Sequence, residues 1–302
     1  MMADQTTFFT LVRSLRERDC ARLLIQSGRS FGGPLSQCPI WVFETQTGGA
    51  VWEGGESEGI EIVRFSVPQA LKGYAFADKV CACAQAEKLA EPSRQTLIWF
   101  NPECLILRPP EWLELAEPHD AAVRPVHIRN VGLLATDPLE AYWSRIYDAV
   151  GASEGMGSVQ SFVDGQILRP YFNTHAFSFV PSQGIAARWM ECFEVLARDG
   201  EFQRKACGDE LHQIFLHQAV LSALLLSRME EGRIRILPSD CNYPYNLHGL
   251  VPQGRRARAL NDLVSVVYED RTLAPDRVDD FEIREPLRSW LVAHMGAGQP
   301  DR

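Results

Sequence analysis

Two segments of this chain, Ile40-Trp41-Val42-Phe43 and Leu97-Ile98-Trp99-Phe100, are apolar at every position and too short to be core helices. A strand that hides both of its faces needs helices above and below it, the condition of a parallel sheet inside a layered α/β domain. Further runs at 8–12, 60–65, 121–128, 176–180 and 264–268 read as strands, and apolar spacing predicts helices over 18–27, 75–89, 138–150, 184–198 and 209–227. In the second helix Phe76, Val80, Cys83 and Ala84 recur at helical spacing, with Asp78, Lys79, Glu87 and Lys88 marking the polar side. The alternation of strand and helix gives a three-layer α/β/α domain with a mainly parallel central sheet.

The 302 residues are enough for one large domain with a sizeable core, and 46% hydrophobic with 23% charged residues is ordinary globular composition. We place that domain at residues 1–269. The polar, proline-punctuated stretch 270–302, with a last amphipathic piece around 286–294, reads as a C-terminal tail. Glycine-rich residues 48–59 and residues 151–157 read as surface loops, without a phosphate-loop or dinucleotide pattern.

A net charge of −9 argues against a nucleic-acid-binding surface, so an anionic ligand needs a local basic pocket. No apolar run reaches the ~18–20 residues of a membrane-spanning helix. Arg13, Arg16, Glu17, Arg18 and Asp19 interrupt the first twenty residues, so no signal peptide is expected. Eight cysteines (20, 38, 81, 83, 104, 192, 207 and 241) are scattered among apolar neighbours, and no Asn-x-Ser/Thr acceptor occurs. Reduced, buried thiols and a cytoplasmic location follow as expectations. Cys81 and Cys83, about 200° apart on a helix, point to opposite sides and read as core thiols. His212 and His217, five apart, miss the spacing of a helical metal pair, and no HExxH, GxSxG or Walker pattern is present.

Four segments, in order, carry a family resemblance. The opening, Thr10-Leu11-Val12-Arg13 followed by Ala21-Arg22-Leu23-Leu24-Ile25-Gln26-Ser27, resembles the first strand and helix of the GT-A-fold nucleotide-diphospho-sugar transferases, in particular the glycogenin-like glycosyltransferase family eight. Trp99-Phe100-Asn101-Pro102-Glu103-Cys104-Leu105-Ile106-Leu107 is similar to that family's strand-end Asp-x-Asp motif. Tyr171-Phe172-Asn173-Thr174-His175-Ala176 resembles its Tyr-Phe-Asn-Ser-Gly-Val strand. Leu216-His217-Gln218 and Leu237-Pro238-Ser239-Asp240-Cys241-Asn242-Tyr243 are similar to its Asp-Gln helix and its Leu-Pro-x-x-Tyr-Asn loop. The resemblance covers residues 8 to about 250.

It implies a nucleotide-sugar donor, an acceptor the sequence does not name, and transfer of the sugar between them. Donor contacts carried over are Thr10 at the base, Lys79, Asn101 and Glu103 at the diphosphate, Asn173, Thr174 and Gln218 at the sugar, and Asn242 at the pocket wall. Mn²⁺ or Mg²⁺ is implied on Glu103 and Asn101, with His248 or His294 as the third ligand. A metal or basic groups must stabilise the leaving diphosphate, and strand C-terminal ends are where α/β sheets bind ligands.

The chain departs from the pattern at three positions. Asn101 replaces the first carboxylate, Pro102 intervenes, and His217 replaces the aspartate of the Asp-Gln pair. Weakened metal binding, metal-independent transfer by Arg and Lys, and loss of catalysis are the three consequences open to such a sequence. No general base is nominated. Arg13, Lys79 and Arg124 are the candidate phosphate partners, and His175 reads as structural. Two rival readings are a non-catalytic descendant that binds a nucleotide sugar or glycan, and a nucleotidyltransferase. The second needs a glycine-rich basic loop after the first strand, and Ser14-Leu15-Arg16-Glu17-Arg18 has no glycine.

Overall fold

A computed structural model describes residues 6–45, 52, 59–90, 95–153, 157–230, 232–278 and 281–295. Its strands are β1 (Thr6–Val12), β2 (Ile40–Thr45), β3 (Ile60–Phe65), β4 (Thr96–Phe100), β5 (Cys104–Ile106), β6 (Ala121–Pro125), β7 (Val159–Gln160), β8 (Ile167–Leu168), β9 (Phe172–Phe179), β10 (Ile234–Ile236), β11 (Tyr243–Pro244) and β12 (Ser265–Val267). Its α-helices are α1 (Leu15–Phe31), α2 (Ala77–Leu89), α3 (Ala141–Val150), α4 (Ile185–Arg198), α5 (Gly200–Lys205), α6 (Glu210–Arg228) and α7 (Leu287–Met295).

Seven strands form the central sheet in the order β10-β6-β9-β4-β1-β2-β3. The two all-apolar segments are interior: β2 lies between β1 and β3, and β4 between β1 and β9. All neighbours run parallel except β9, which is antiparallel to both β4 and β6. Trp99 pairs with Phe177 and Phe100 with Ala176, while Arg124 pairs with Asn173 beyond a bulge. Because β9 runs against its neighbours, it begins where they end. Its first residues therefore meet the end of β4 and the end of β6 at one edge of the sheet.

One sheet face carries Phe9, Leu11, Trp99 and Phe177 into a core shared with Val80 of α2, Ile146 of α3, Trp189 of α4 and Leu221 of α6. The opposite face carries Ile98, Phe100 and Ala122 against Leu24 of α1 and Val267 of β12. This alternation along each strand is what a two-sided, fully covered sheet demands.

Helix α2 packs between the sheet and α4 and is buried almost all round: Lys79, Val80, Cys81, Ala82, Cys83 and Ala86 are all inside. Cys81 and Cys83 are core thiols on its two covered sides. Lys79, placed on the polar side by sequence spacing, is only 2% exposed. Glu87 of the same helix caps α4, accepting the backbone N–H groups of Ala186 and Ala187 at 2.9 and 2.7 Å.

A second sheet, β11-β12-β5, stands against the end of β4. Strand β12 pairs antiparallel with β5, Val267 opposite Cys104, and parallel with β11. Leu273, Phe281, Leu287 and Leu291, from the segment read as a tail, share a buried cluster with Leu105, Tyr243 and Val266. Trp290 of α7 packs its ring 5.6 Å from Phe31. Residues 296–302 lie outside the described residues, as do all but Trp52 and Gly59 of the loop expected at 48–59 and residues 154–156 of the one at 151–157. Among the described residues no helix is long and apolar enough to cross a membrane.

Candidate functional site

The polar end of β4 turns at Asn101, whose backbone N–H donates to the carbonyl of His175 at 2.7 Å. Asn101 Oδ1 accepts from Trp99 Nε1 at 3.0 Å and from Lys79 Nζ at 3.0 Å. The same ammonium donates to the backbone carbonyl of Thr174 and stands 5.0 Å from the centre of the Trp99 ring. Burial pulls Lys79 from 10.5 down to about 7. Three predicted residues, Lys79, Asn101 and Thr174, thus meet at one point.

Asn173 and Asn242 meet at a second. Asn242 Nδ2 donates to Asn173 Oδ1 at 2.8 Å, and that oxygen also accepts the backbone N–H of His175 at 2.7 Å. The Asn242 carbonyl is held by Arg124 Nη1 and lies 3.0 Å from His127 Nε2. Burial lowers the Arg124 guanidinium to about 10 and holds His127 well below the ordinary histidine range. Arg124, expected at a phosphate, instead spends its charge on the Cys241 and Asn242 carbonyls, with its guanidinium 4.5 Å from the centre of the Phe162 ring. Asn242 is 1% exposed, yet among the described residues its Oδ1 has no donor, nor does the buried Oδ1 of Asn246.

His175 and Glu269 close this side. His175 Nδ1 lies 2.9 Å from Asn173 Oδ1 and Nε2 lies 3.1 Å from Glu269 Oε1, so both ring nitrogens face acceptors. Asn246 Nδ2 donates to Glu269 Oε2 at 2.6 Å. The hydrogen bond from His175 holds the Glu269 carboxyl below its ordinary value. Strand β12 delivers Glu269, because its pairing with β5 brings it back to the turn that follows β4. The sequence reading missed Glu269 and Asn246 and read His175 as structural.

Glu103 forms the rim. Burial pushes its carboxyl up, opposed by Arg16, whose Nη2 lies 3.7 Å away and also donates to Asp270 at 2.7 Å. Arg13 is held by Glu17 and lies 3.7 Å from Asp78. Of the three candidate phosphate partners, Lys79 reaches the strand-end turn, Arg13 stands at its margin, and Arg124 is spent elsewhere.

Gln218, the residue of α6 expected at the sugar, and His217 beside it are buried. Thr174 Oγ1 lies 3.1 Å from His217 Nε2 and 3.5 Å from Gln218 Oε1. His217 Nδ1 faces the Ile214 carbonyl at 2.8 Å, so Nδ1 carries the proton and the Thr174 hydroxyl donates to Nε2. Burial keeps His217 well below the ordinary histidine range, a neutral ring where the resemblance implies an aspartate. Phe76 stacks on that ring at 4.4 Å. Phe76, Asn242 and Glu269, at φ 58°, 54° and 47°, are three of the four non-glycine residues of positive φ among those described. Strained backbone of this kind concentrates at functional sites.

Three predicted residues lie apart. Thr10 is buried under α1, its unpartnered hydroxyl lining a cavity of about 30 Å³ with Leu24, Ile25 and Gly28. It faces the sheet side opposite Lys79 because strand residues alternate. His248 sits in the second apolar cluster, its Nδ1 2.8 Å from the Tyr243 hydroxyl and its ring 4.1 Å from Phe281. His294 lies on α7, its Nδ1 2.7 Å from the Trp290 carbonyl.

The metal set expected from Glu103, Asn101 and either histidine is therefore not assembled. An amide oxygen has two lone pairs, and both of those on Asn101 Oδ1 are taken by N–H donors, one of them an ammonium. The residues present do not fit Mn²⁺ or Mg²⁺. Among the described residues no group of three or more His, Cys, Asp or Glu is arranged to hold a metal ion.

Residues 7–226 match the Rhodobacterales glycosyltransferase domain family. No curated protein sequence matches the chain. Among solved structures, the galactosyltransferase LgtC in complex with donor and acceptor sugar analogs aligns with a TM-score of 0.52 at 11% identity, covering 98% of each chain. An active-site mutant of LgtC aligns at 0.49 and 10% identity over the same share. The first likeness shows the GT-A fold.

Proposed function

Because the chain belongs to the Rhodobacterales glycosyltransferase domain family, and is a glycosyltransferase, we propose that it takes a nucleotide sugar as donor in the cleft where β4, β6 and β9 meet. Two orphaned buried oxygens carry this reading: among the described residues, Oδ1 of Asn242 and Oδ1 of Asn246 are the two buried side-chain amide oxygens that lack a donor. Sugar hydroxyls supply such donors. Asn173 and Thr174 frame the same wall, with Gln218 behind Thr174. The diphosphate lies toward Lys79 and Arg13, the basic groups on that side, with Glu103 at the rim. The resemblance to glycosyltransferase family eight, with Asn101-Pro102-Glu103 as an altered Asp-x-Asp turn, belongs to the same proposal.

The chemistry is a displacement at the anomeric carbon. The bond from that carbon to the diphosphate oxygen breaks with its electron pair going to the oxygen, the acceptor hydroxyl forms the new bond, and its proton leaves to the departing diphosphate or solvent. The chain's part is positioning and charge stabilisation. The acceptor is a hydroxyl-bearing molecule of unspecified identity.

A cytoplasmic setting is part of the proposal, supported by eight cysteines that are all free and buried. So is a transferase domain at residues 1–269, with residues 270–295 closing over β5, β11 and β12.

Titration with a panel of nucleotide sugars and their nucleoside diphosphates tests the reading. Asn242→Ala should weaken the sugar nucleotide by about 3- to 10-fold, the effect of one neutral hydrogen bond, and spare the nucleoside diphosphate. Absence of binding by every donor in the panel would overturn it.

A further inference from the structure

Among the described residues the Lys79 ammonium forms no ion pair. Lys79 is 2% exposed, and the partners of its Nζ are neutral: the Asn101 amide oxygen, the Thr174 carbonyl and the face of Trp99. An ammonium is expensive to bury against neutral acceptors alone. Asp78, its chain neighbour, favours the charge only from a distance and forms no ion pair with it: its Oδ1 accepts the Lys79 backbone N–H at 2.8 Å and its Oδ2 lies 3.7 Å from Arg13. The other titratable groups around Nζ are Cys83 on α2, Cys104 on β5 and His217 on α6. Burial pushes both thiols up and the imidazole down, so all three are neutral near pH 7. Arg13, the remaining neighbour, is a like charge.

We propose that the Lys79 ammonium takes the place of a divalent cation in this cleft, as a built-in charge that neutralises the donor's diphosphate, so that nucleoside diphosphates bind without metal. The inference rests on the nucleotide-sugar reading above. Two observations carry it beyond that reading. The ammonium is bonded to Asn101, the strand-end residue where the resemblance puts the first metal-binding carboxylate. That residue is an amide, which orients the ammonium without cancelling its charge, whereas a carboxylate there would form a closed ion pair. Two of the three N–H donors are used among the described residues, which leaves one for a phosphate oxygen.

Calorimetric titration of the wild-type chain with UDP, GDP, ADP and CDP, once with EDTA and once with Mn²⁺, decides the matter. The expected result is one nucleotide that binds in EDTA, with an affinity that Mn²⁺ changes by less than about 3-fold. Lys79→Met should lose about 10- to 100-fold in affinity, the range for a charged hydrogen bond. Lys79→Met combined with Asn101→Asp, which exchanges the internal cation for a carboxylate, should bind the nucleotide only with Mn²⁺. Wild-type binding that requires Mn²⁺ overturns the proposal and leaves the nucleotide-sugar reading standing. Binding to none of the four nucleotides in either condition overturns both. The wild-type arms need no variant, so misfolding of Lys79→Met leaves the proposal open to refutation.

Discussion

Replacing Lys79 by Met should make the protein more stable at neutral and acidic pH and erase part of its stability–pH dependence. Lys79 falls from 10.5 to about 7 on folding, a gap of about 3.5 on the pH scale. At about 1.4 kcal/mol for each pH unit, keeping this lysine charged inside costs about 5 kcal/mol. The sign follows from proton counting. Between about 7 and 10.5 the unfolded chain holds the proton and the folded chain does not, so stability rises with pH through that window. Below about 7 both states are protonated and the penalty is present in full. Against the gain, the variant leaves the Thr174 carbonyl without its ammonium donor, a loss of about 1–3 kcal/mol, while Asn101 keeps its bond from Trp99. Met fills the same volume, so no cavity term is added. The net expectation is a variant more stable than wild type by about 2–4 kcal/mol near pH 6, with the advantage gone near pH 9. Urea unfolding followed by tryptophan fluorescence at the two pH values reads both effects. Parallel stability curves for the two proteins would refute the account.

Glu269 behaves in the opposite sense. Its carboxyl is held low by His175, so its contribution is present above the unfolded value near 4.5 and is lost as pH falls through the folded value. Glu269→Gln should therefore be less stable than wild type at neutral pH and converge with it in acid, as followed by circular dichroism. Asn242→Gly keeps the positive φ and removes only the bond to Asn173, so it should cost about 1 kcal/mol, whereas Asn242→Ala adds backbone strain and should cost about 1–3 kcal/mol more; melting temperatures separate the two. Glu87→Ala strips the cap from α4 and should destabilise by about 1–2 kcal/mol, measured by urea titration.

The layered architecture was legible because strands such as 40–43 and 97–100 have no polar face to expose. Short strands such as Ile234–Ile236 and Tyr243–Pro244 are too short to repeat a strand pattern and were missed. Helix α1 runs from Leu15 to Phe31, beyond the expected 18–27, because Ser14 caps it by accepting the Glu17 N–H. Asn101 stood out because it is polar at the end of an apolar run, Asn173 and Thr174 because they interrupt an aromatic strand, and Asn242 through the resemblance of its loop. Lys79 was placed on a wet face because periodicity describes a helix packed on one side, and α2 is packed on two. Glu269 gave no signal at all. Its role depends on β12 folding back onto β5, a pairing over a separation that no local pattern encodes. His248 was proposed as a ligand from its position along the chain, and the Tyr243 hydroxyl and Phe281 ring that hold it are tertiary neighbours.

The reversed strand β9 sets the order in which this protein can become competent. Lys79 must find Thr174 95 residues away and Asn242 must find Asn173 across 69, while Arg124 reaches Asn242 across 118. Contacts of such span close late, because loop entropy must be met before they form. A nascent chain that has emerged only through β4 already owns the paired strands β1 and β2 and the turn at Asn101, yet has no partner for that turn. On the reading proposed above, donor capture is therefore a readout of synthesis past β11: fragments ending before it can be compact and still lack the proposed site.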